Sequence, residues 1–584
     1  MNKGKEIMLS TIKFRKISVA LITTTLAFGL SVNQSFAESK KDFYNDPAVA
    51  EKYKKLNDAS RLKPLVRSEP TKPKETVRIS NAIKDTSRKV NVKAIDLQGV
   101  DHPSEEVKSL FKPLIGSYSS VSKINEVARE IEKYYQKNGQ ILTLAYVPEQ
   151  SFDKGVVKIR VIAGSIREVI VNGDGVESKL FKAYIDKILE LKPVSKKDLV
   201  KYLLLMNKIP GYRVEHVLEP VSSDKINLST GEVADLVLVV NRSRGMVDFN
   251  VDNYGSKDLG RYEGGAGGEL LSPFNKDESV FAFLGTTNKP NSLKAVTIGV
   301  NKNIGSEGTA IGIMGSYDIS AANNVPGTKS HKNDVGTLLR AHISNYPVLS
   351  NTTSLKLEAG VQNRTQKAFN GVTQQSNYNI ASAFIGTELQ YKDKFGAHNY
   401  FVPMLYQSLS GLSNVKIYDS SIAKYSRNYT LFTANIERDQ PLIGNASLYL
   451  SANGQYTSSI LPPEEQFSVG GMINGRGYKI AIVSASKGLG ATAELRYDKY
   501  IEKVLLEKVQ PYAFYDIAAF SKSQASANVS NLGSAGVGAR FMFMKNINLG
   551  IEAGIPLKKS ININGLSSRN KTKYSFTLNK SFSW

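Results

Sequence analysis

The clearest capacity for chemistry in this 584-residue chain lies in one short run, Asn474-Gly475-Arg476-Gly477-Tyr478 (NGRGY). A glycine on either side lets the backbone fold tightly while the guanidinium projects, and that planar, always-charged fork matches a carboxylate. Taken alone, such a run is more often a solvated turn, so its surroundings decide. Other chemistry is thinly represented. Cysteine is absent, which removes disulfides, thiolate metal sites and a Cys nucleophile, and the five His residues form no His-x-x-x-His or Glu-x-x-His pair. There is no nucleotide-binding glycine loop and no nucleophile–base motif. The sequence therefore implies no enzyme, no metal and no cofactor.

The elements that must position Arg476 come next. The run sits in a segment, 461–486, that is too long for a turn and is flanked by strands. From Gly245 to Trp584 the apolar period is two: Leu355, Leu357, Ala359 and Val361 alternate with Lys356, Glu358, Gly360 and Gln362. That pattern suits either a soluble sandwich or a lipid-facing barrel with a wet lumen. The last strand separates the two. Tyr574, Phe576, Leu578, Phe582 and Trp584 share one face, an aromatic end of the kind that marks outer-membrane barrels, and only Lys580 interrupts it, where a long side chain can snorkel. The barrel is assigned to 244–584.

Sixteen strand candidates are legible, near Gly245, Arg261, Ser279, Leu293, Gly308, Asp334, Thr353, Asn377, Asn399, Arg427, Asn445, Leu489, Val509, Leu532, Asn548 and Lys573. They leave about 21 residues for each strand and its connection, where a span needs about 10. With the first strand rising from the periplasm, 461–486 joins strands eleven and twelve as the sixth extracellular loop, and the short Gln440–Gly444 turn is periplasmic.

Upstream, residues 1–37 read as a secretory signal: Lys13, Arg15 and Lys16 precede an apolar run from Ile17 to Leu30, and Ser35-Phe36-Ala37 offers a cleavage site. Met8 is an alternative start. Removing this segment lowers the formal charge from +23 to +19, and a secreted destination puts nucleic acid last among the partners such a charge could serve. Asp46-Pro47 opens a polar helix with few apolar residues (Val49, Tyr53, Leu56), placed within 38–62, and a Pro-rich linker fills 63–89. Two units of strand, helix, helix, strand, strand follow. In the first, 90–165, Val90 to Leu97 reads as one strand, Pro103-Ser104 opens a helix, and Ile141–Val147 and Val156–Ile162 close the unit. In the second, 166–243, the spacing of Ser195 and Asp198 resembles a capping box, with Asp in place of the usual Glu.

LAYVPEQSFDKGVVKIRVIAG and LLLMNKIPGYRVEHVLEP resemble the paired polypeptide-transport-associated (POTRA) domains of two-partner secretion translocators, the TpsB family of ShlB/FhaC/HecB haemolysin secretion/activation proteins. The likeness extends from about Lys41 onward and takes in VDNYGSKDLGR, ISNYP and NGRGY. It implies an α+β periplasmic part followed by a transmembrane antiparallel barrel of about 16 strands. In that family the sixth loop folds back into the lumen and its Arg pairs with a strand Asp. Here the matching run, PYAFYDIAAF, offers Asp516, which alternation places with Tyr512 and Phe514, although Ala518 stands where the family usually has Gly. The implied clamp is Arg476, Gly477 and Tyr478 against Asp516, and restoring a broken pair with swapped charges is expected to recover part of its energy. The family's pore-plugging helix corresponds to Asp46, Pro47, Tyr53 and Leu56.

The resemblance implies a monomeric protein of a Gram-negative outer membrane that exports a large exoprotein bearing an N-terminal secretion domain. The barrel-assembly machinery would read its final strand, and outer-membrane lipid and lipopolysaccharide would surround it. A barrel-assembly insertase of the same superfamily, a passive channel and a barrel-anchored surface hydrolase are the other readings.

Overall fold

A computed structural model describes residues 82–83 and 85–584, apart from 174–177, 222–229, 256–259, 323–331, 371, 419–424, 463–464, 473, 502–504, 522–529, 544–545 and 564–565. The signal, the plug helix with Asp46, Pro47, Tyr53 and Leu56, and nearly all of the linker lie outside the described residues. The chain divides into two compact units, meeting in sequence at Arg242 and Ser243.

The N-terminal unit holds both small domains. In the first, Ser104 caps the helix Glu105–Phe111 by accepting from the Val107 amide, and Ser120 caps Val121–Lys137 through the Lys123 amide. The second helix buries Val121, Ile124, Ala128 and Ile131 over the sheet. In that sheet Ala94–Gln98 runs parallel to Val156–Ile162, which pairs antiparallel with Leu144–Tyr146. The expected strand Val90–Leu97 is broken. Lys89–Asn91 pairs with Tyr118–Ser120 instead, because the Val92 amide turns to the Ser117 carbonyl and the Lys93 amide to that of Gly155. The second domain repeats the order. Ser178 and Ser195 cap the helices Lys179–Leu189 and Lys196–Met206, and Glu232–Arg242 is the central strand between Ser165–Gly173 and Tyr212–Pro220.

The C-terminal unit is a closed antiparallel barrel. Its sixteen strands are β1 (Gly245–Asp252), β2 (Glu263–Leu271), β3 (Glu278–Thr287), β4 (Leu293–Ile304), β5 (Thr309–Ala322), β6 (Lys332–Leu349), β7 (Thr353–Asn370) and β8 (Thr373–Lys392), followed by β9 (His398–Ser408), β10 (Thr430–Pro441), β11 (Ala446–Tyr456), β12 (Gly488–Tyr497), β13 (Leu506–Phe520), β14 (Asn531–Phe543), β15 (Ile547–Pro556) and β16 (Lys573–Ser583). Asn414–Ile417 and Lys499–Tyr500 are short continuations of β9 and β12, pairing with β8 and β13. The barrel closes by β16 on β1, from Thr577 opposite Asp252 to Ser583 opposite Met246. Trp584 ends the seam: its carbonyl accepts from the Arg244 amide at 2.6 Å and its amide donates to Gly245 at 3.2 Å.

Polarity across the barrel wall is the reverse of a soluble sandwich. On β13, Tyr512, Phe514, Asp516, Ala518 and Phe520 are buried, while Ala513, Tyr515, Ile517 and Ala519 face out. Glu269, Asp318, Gln362 and Glu494 are buried inside, while Ile298, Leu339, Ile385 and Val537 are more than half exposed outside. An interior of charges within an exterior of large aliphatics loses free energy in water and gains it in lipid. Tyr574, Leu578, Phe582 and Trp584 belong to the outward face, and Lys580 Nζ lies 4.6 Å from the Phe582 ring centroid. No helix among the described residues is long and apolar enough to cross a membrane, so crossing falls to the strands.

Candidate functional site: the lumenal clamp of the sixth loop

The connection from β11 to β12 does not stay outside the barrel. Its two arms pair as a small hairpin, Phe467–Val469 with Val483–Ala485. Val469, Tyr478, Val483 and Ala485 pack against Ala518 and Phe520 of β13 and Leu532 of β14. Each of the two valines removed from water stabilises the loop by about 1.5–3 kcal/mol. Ala518 puts its methyl into this cluster. At the tip, Asn474 and Gly475 take φ of 61° and 133°, a left-handed turn that asparagine and glycine tolerate. The Asn474 side-chain Nδ2 donates to the Ser468 carbonyl at 3.1 Å.

The turn delivers Arg476 to the wall. Its Nε and Nη2 donate to the two oxygens of Asp516, at 3.2 and 2.9 Å, and its own backbone amide donates to Oδ2 at 3.0 Å. This is a side-on fork with a third, main-chain prong. Asp516 also accepts from the hydroxyls of Thr492 and Ser534, both at 3.0 Å. The guanidinium carbon lies 3.4 Å from the centroid of the Phe514 ring. Arg476 is 7% exposed and Asp516 1%, so neither charge is matched by water. Tyr478 is fixed at its tip, where its hydroxyl donates to the Gly533 carbonyl at 2.9 Å and accepts from the Lys558 amide at 3.0 Å. Gly477 packs against β15 where a Cβ would come within 2.7 Å of Pro556 N.

Several further residues complete the site. Glu494 on β12, 1% exposed, accepts from three guanidinium groups: Arg476 Nη1 at 2.9 Å, Arg496 Nε at 2.6 Å and Arg540 Nη1 at 2.7 Å. Glu552 on β15 stands 3.6 Å from Arg476 and accepts from the Tyr254 and Tyr512 hydroxyls at 2.6 and 3.0 Å. Three arginines thus meet three carboxylates. Arg540 stacks on Tyr512 at 4.1 Å and Arg496 on Tyr449 at 4.0 Å, both looser than Arg476 on Phe514. Gly536 and Gly538 make room for the rings, since a Cβ at either would lie 2.4 Å from Phe514 or Tyr512. A second anchor holds the loop's base, where Glu465 pairs with Arg364 of β7 at 3.1 Å. Of these partners, Glu494 and Glu552 carried a sequence signal, a carboxylate in the inward phase of an alternating strand. Which inward carboxylate meets the loop depends on interstrand register, here Thr492 opposite Asp516.

Comparison with known proteins agrees with this architecture. The model of the haemolysin secretion/activation protein family ShlB/FhaC/HecB matches residues 234–541, and that of the ShlB-type POTRA domain matches 90–164. The heme/hemopexin transporter protein HuxB of Haemophilus influenzae (strain 86-028NP) is 23% identical over 487 residues, 80% of this chain and 84% of the relative. Among solved structures, CdiB from Escherichia coli superposes with a TM-score of 0.69 at 17% identity, over 92% of this chain and 98% of that one. CdiB from Acinetobacter baumannii gives 0.63 at 16%, over 93% and 98%. At such identities the structures speak for the fold, and the family model, which spans more than half of the chain, speaks for the lineage. The chain belongs to the ShlB/FhaC/HecB haemolysin secretion/activation family, the outer-membrane translocators of two-partner secretion.

Proposed function

We propose that this outer-membrane protein takes one large exoprotein, a haemolysin, adhesin or contact-dependent toxin, unfolded from the periplasm and passes it through the barrel, with the Arg476–Asp516 clamp shaping the path. The observation that supports the clamp's role is the loop that starts and ends at the outer rim yet ties its arginine to the inner wall. A loop held by charges and hydrogen bonds can exchange those bonds with a polar chain in transit, whereas a purely apolar anchor offers no such exchange. In the periplasm, the edge strands Ser165–Gly173 and Tyr212–Pro220 offer unpaired backbone to which an extended N-terminal secretion domain can add. During biogenesis the outward aromatic face of Tyr574, Phe576, Leu578, Phe582 and Trp584 would be the signal read by the barrel-assembly machinery. The mature protein works as a monomer in this scheme.

The test compares secreted and outer-membrane proteins in cells with and without the chain. Loss of one very large protein from the surface or medium, with other barrels constant, supports dedicated export. A joint decline of many barrels would mean an insertase. Normal client secretion by Arg476→Ala would remove the clamp from the mechanism while leaving export itself standing.

A further inference from the structure

The outward wall of β10 to β13 carries a hollow of about 520 Å³ that the clamp does not use. Its floor is built of small residues: Ala434 of β10 stands opposite Gly454 of β11, and Ala452 lies one outward position further along β11. Leu489 of β12, opposite Gly454, forms a side of it. At the upper end Phe432 and Tyr456 are a cross-strand pair, and Lys487 Nζ lies 5.1 Å from the centroid of the Tyr456 ring. The backbone at this rim is tied, because the Ser521 amide donates to the Lys487 carbonyl at 3.1 Å.

Tyr456 and Leu489 are 62% and 57% exposed, a large apolar surface that only membrane lipid would cover. From Tyr456 to Ala452 is four residues of strand, about 13 Å, which on a strand tilted by about 40° covers about 10 Å of depth, roughly two thirds of one leaflet of a bilayer core about 30 Å thick. From the rim towards mid-membrane the order is a cation, an aromatic pair and an apolar slot. That order complements an anionic headgroup joined to an acyl chain.

We infer that this hollow binds one acyl chain of a phosphorylated glycolipid of the outer leaflet, with Lys487 paired to its phosphate. Tyr456 ends β11 and Lys487 precedes β12, so the lipid joins the two stems from which the clamp loop departs. A lipid seated there holds the stems together and favours the inserted loop.

The experiment uses the full-length protein purified in detergent, incubated with bisphosphorylated lipid A and observed by native mass spectrometry. The wild type is expected to keep one lipid A per chain. Lys487→Glu should lower that occupancy at least tenfold, and so should Ala434→Phe, which fills the floor without altering charge. Heat-modifiable migration on gels identifies folded barrel, so either variant alone decides the question if the other does not fold. Equal retention of phosphatidylethanolamine and lipid A, or wild-type lipid A occupancy in a folded variant, would mean annular lipid only and overturn the inference. The readout involves no client, so it stands or falls apart from the transport function.

Discussion

Gly554 of β15 lies directly against the backbone of Arg476: a Cβ on Gly554 would sit 2.8 Å from both the carbonyl carbon and the carbonyl oxygen of the arginine. The tip of the loop and the wall therefore meet main chain to main chain. A methyl has no room there, since no flexible side chain can give way. Gly554→Ala should cost about 1–3 kcal/mol of overpacking at the tip, leaving the strands paired. The expected result is a barrel of normal heat-modifiable migration whose loop is cleaved several-fold faster by protease added to whole cells. An unchanged cleavage rate would mean that β15 shifts instead.

The clamp needs the shape of the guanidinium as well as its charge. Lysine at 476 cannot bond both oxygens of Asp516 and Glu494 at once, nor stack flat on Phe514. Arg476→Lys is therefore expected to behave nearly like Arg476→Ala, which leaves Asp516 and Glu494 buried with one cation fewer at a cost of about 3–5 kcal/mol. Immunoblotting of the secreted client checks this. Recovery by lysine to more than half of wild-type secretion would show that charge alone suffices.

How much of this was legible in the sequence follows from the kind of information each feature needs. Alternation is local, so all sixteen strands, the shared face of Tyr512, Phe514 and Asp516 and the outward phase of Trp584 could be read from the chain, whereas that Asp516 faces the lumen followed only from the pairing the family resemblance implied. Glu494 could not be assigned as the second carboxylate partner of Arg476, because its height on the wall depends on how β12 slides against β13. The first strand of the N-terminal unit misled for a related reason. Its apolar residues alternate from Val90 to Leu97, but hydrogen bonds from Val92 and Lys93 to distant carbonyls split it into two pairings. Arg540 and Arg496 carry no local signal of their role, because the rings they stack on, Tyr512 and Tyr449, lie on neighbouring strands.

Acid should loosen the second small domain. His216 lies on the strand Tyr212–Pro220, and burial pushes its imidazole below the ordinary value of about 6.5. The folded state therefore favours the neutral ring. Its contribution to stability is present above the unfolded value and is lost as the pH falls through the folded one. Urea-dependent proteolysis of this domain should show a lower midpoint at pH 5 than at pH 7, and His216→Gln should shrink the difference. An equal pH effect in the variant would assign it to other groups.

A charge swap is the usual proof of an ion pair, and here it should fail. In Arg476→Asp with Asp516→Arg, the new aspartate would face Glu494, now 2.9 Å from Arg476 Nη1, and Glu552 at 3.6 Å. The new arginine at 516 would stand among the Thr492 and Ser534 hydroxyls and the 476 amide, three groups that now donate to a carboxylate. The sequence alone suggested partial recovery; the geometry replaces one satisfied pair with like-charge contacts on one side and opposed donors on the other. The double variant is expected to secrete no more client than Arg476→Ala. Adding Glu494→Gln relieves the first repulsion and should raise secretion above the double variant, still short of the wild type. A swap that restores secretion without that third change would show that Glu494 is no part of the clamp.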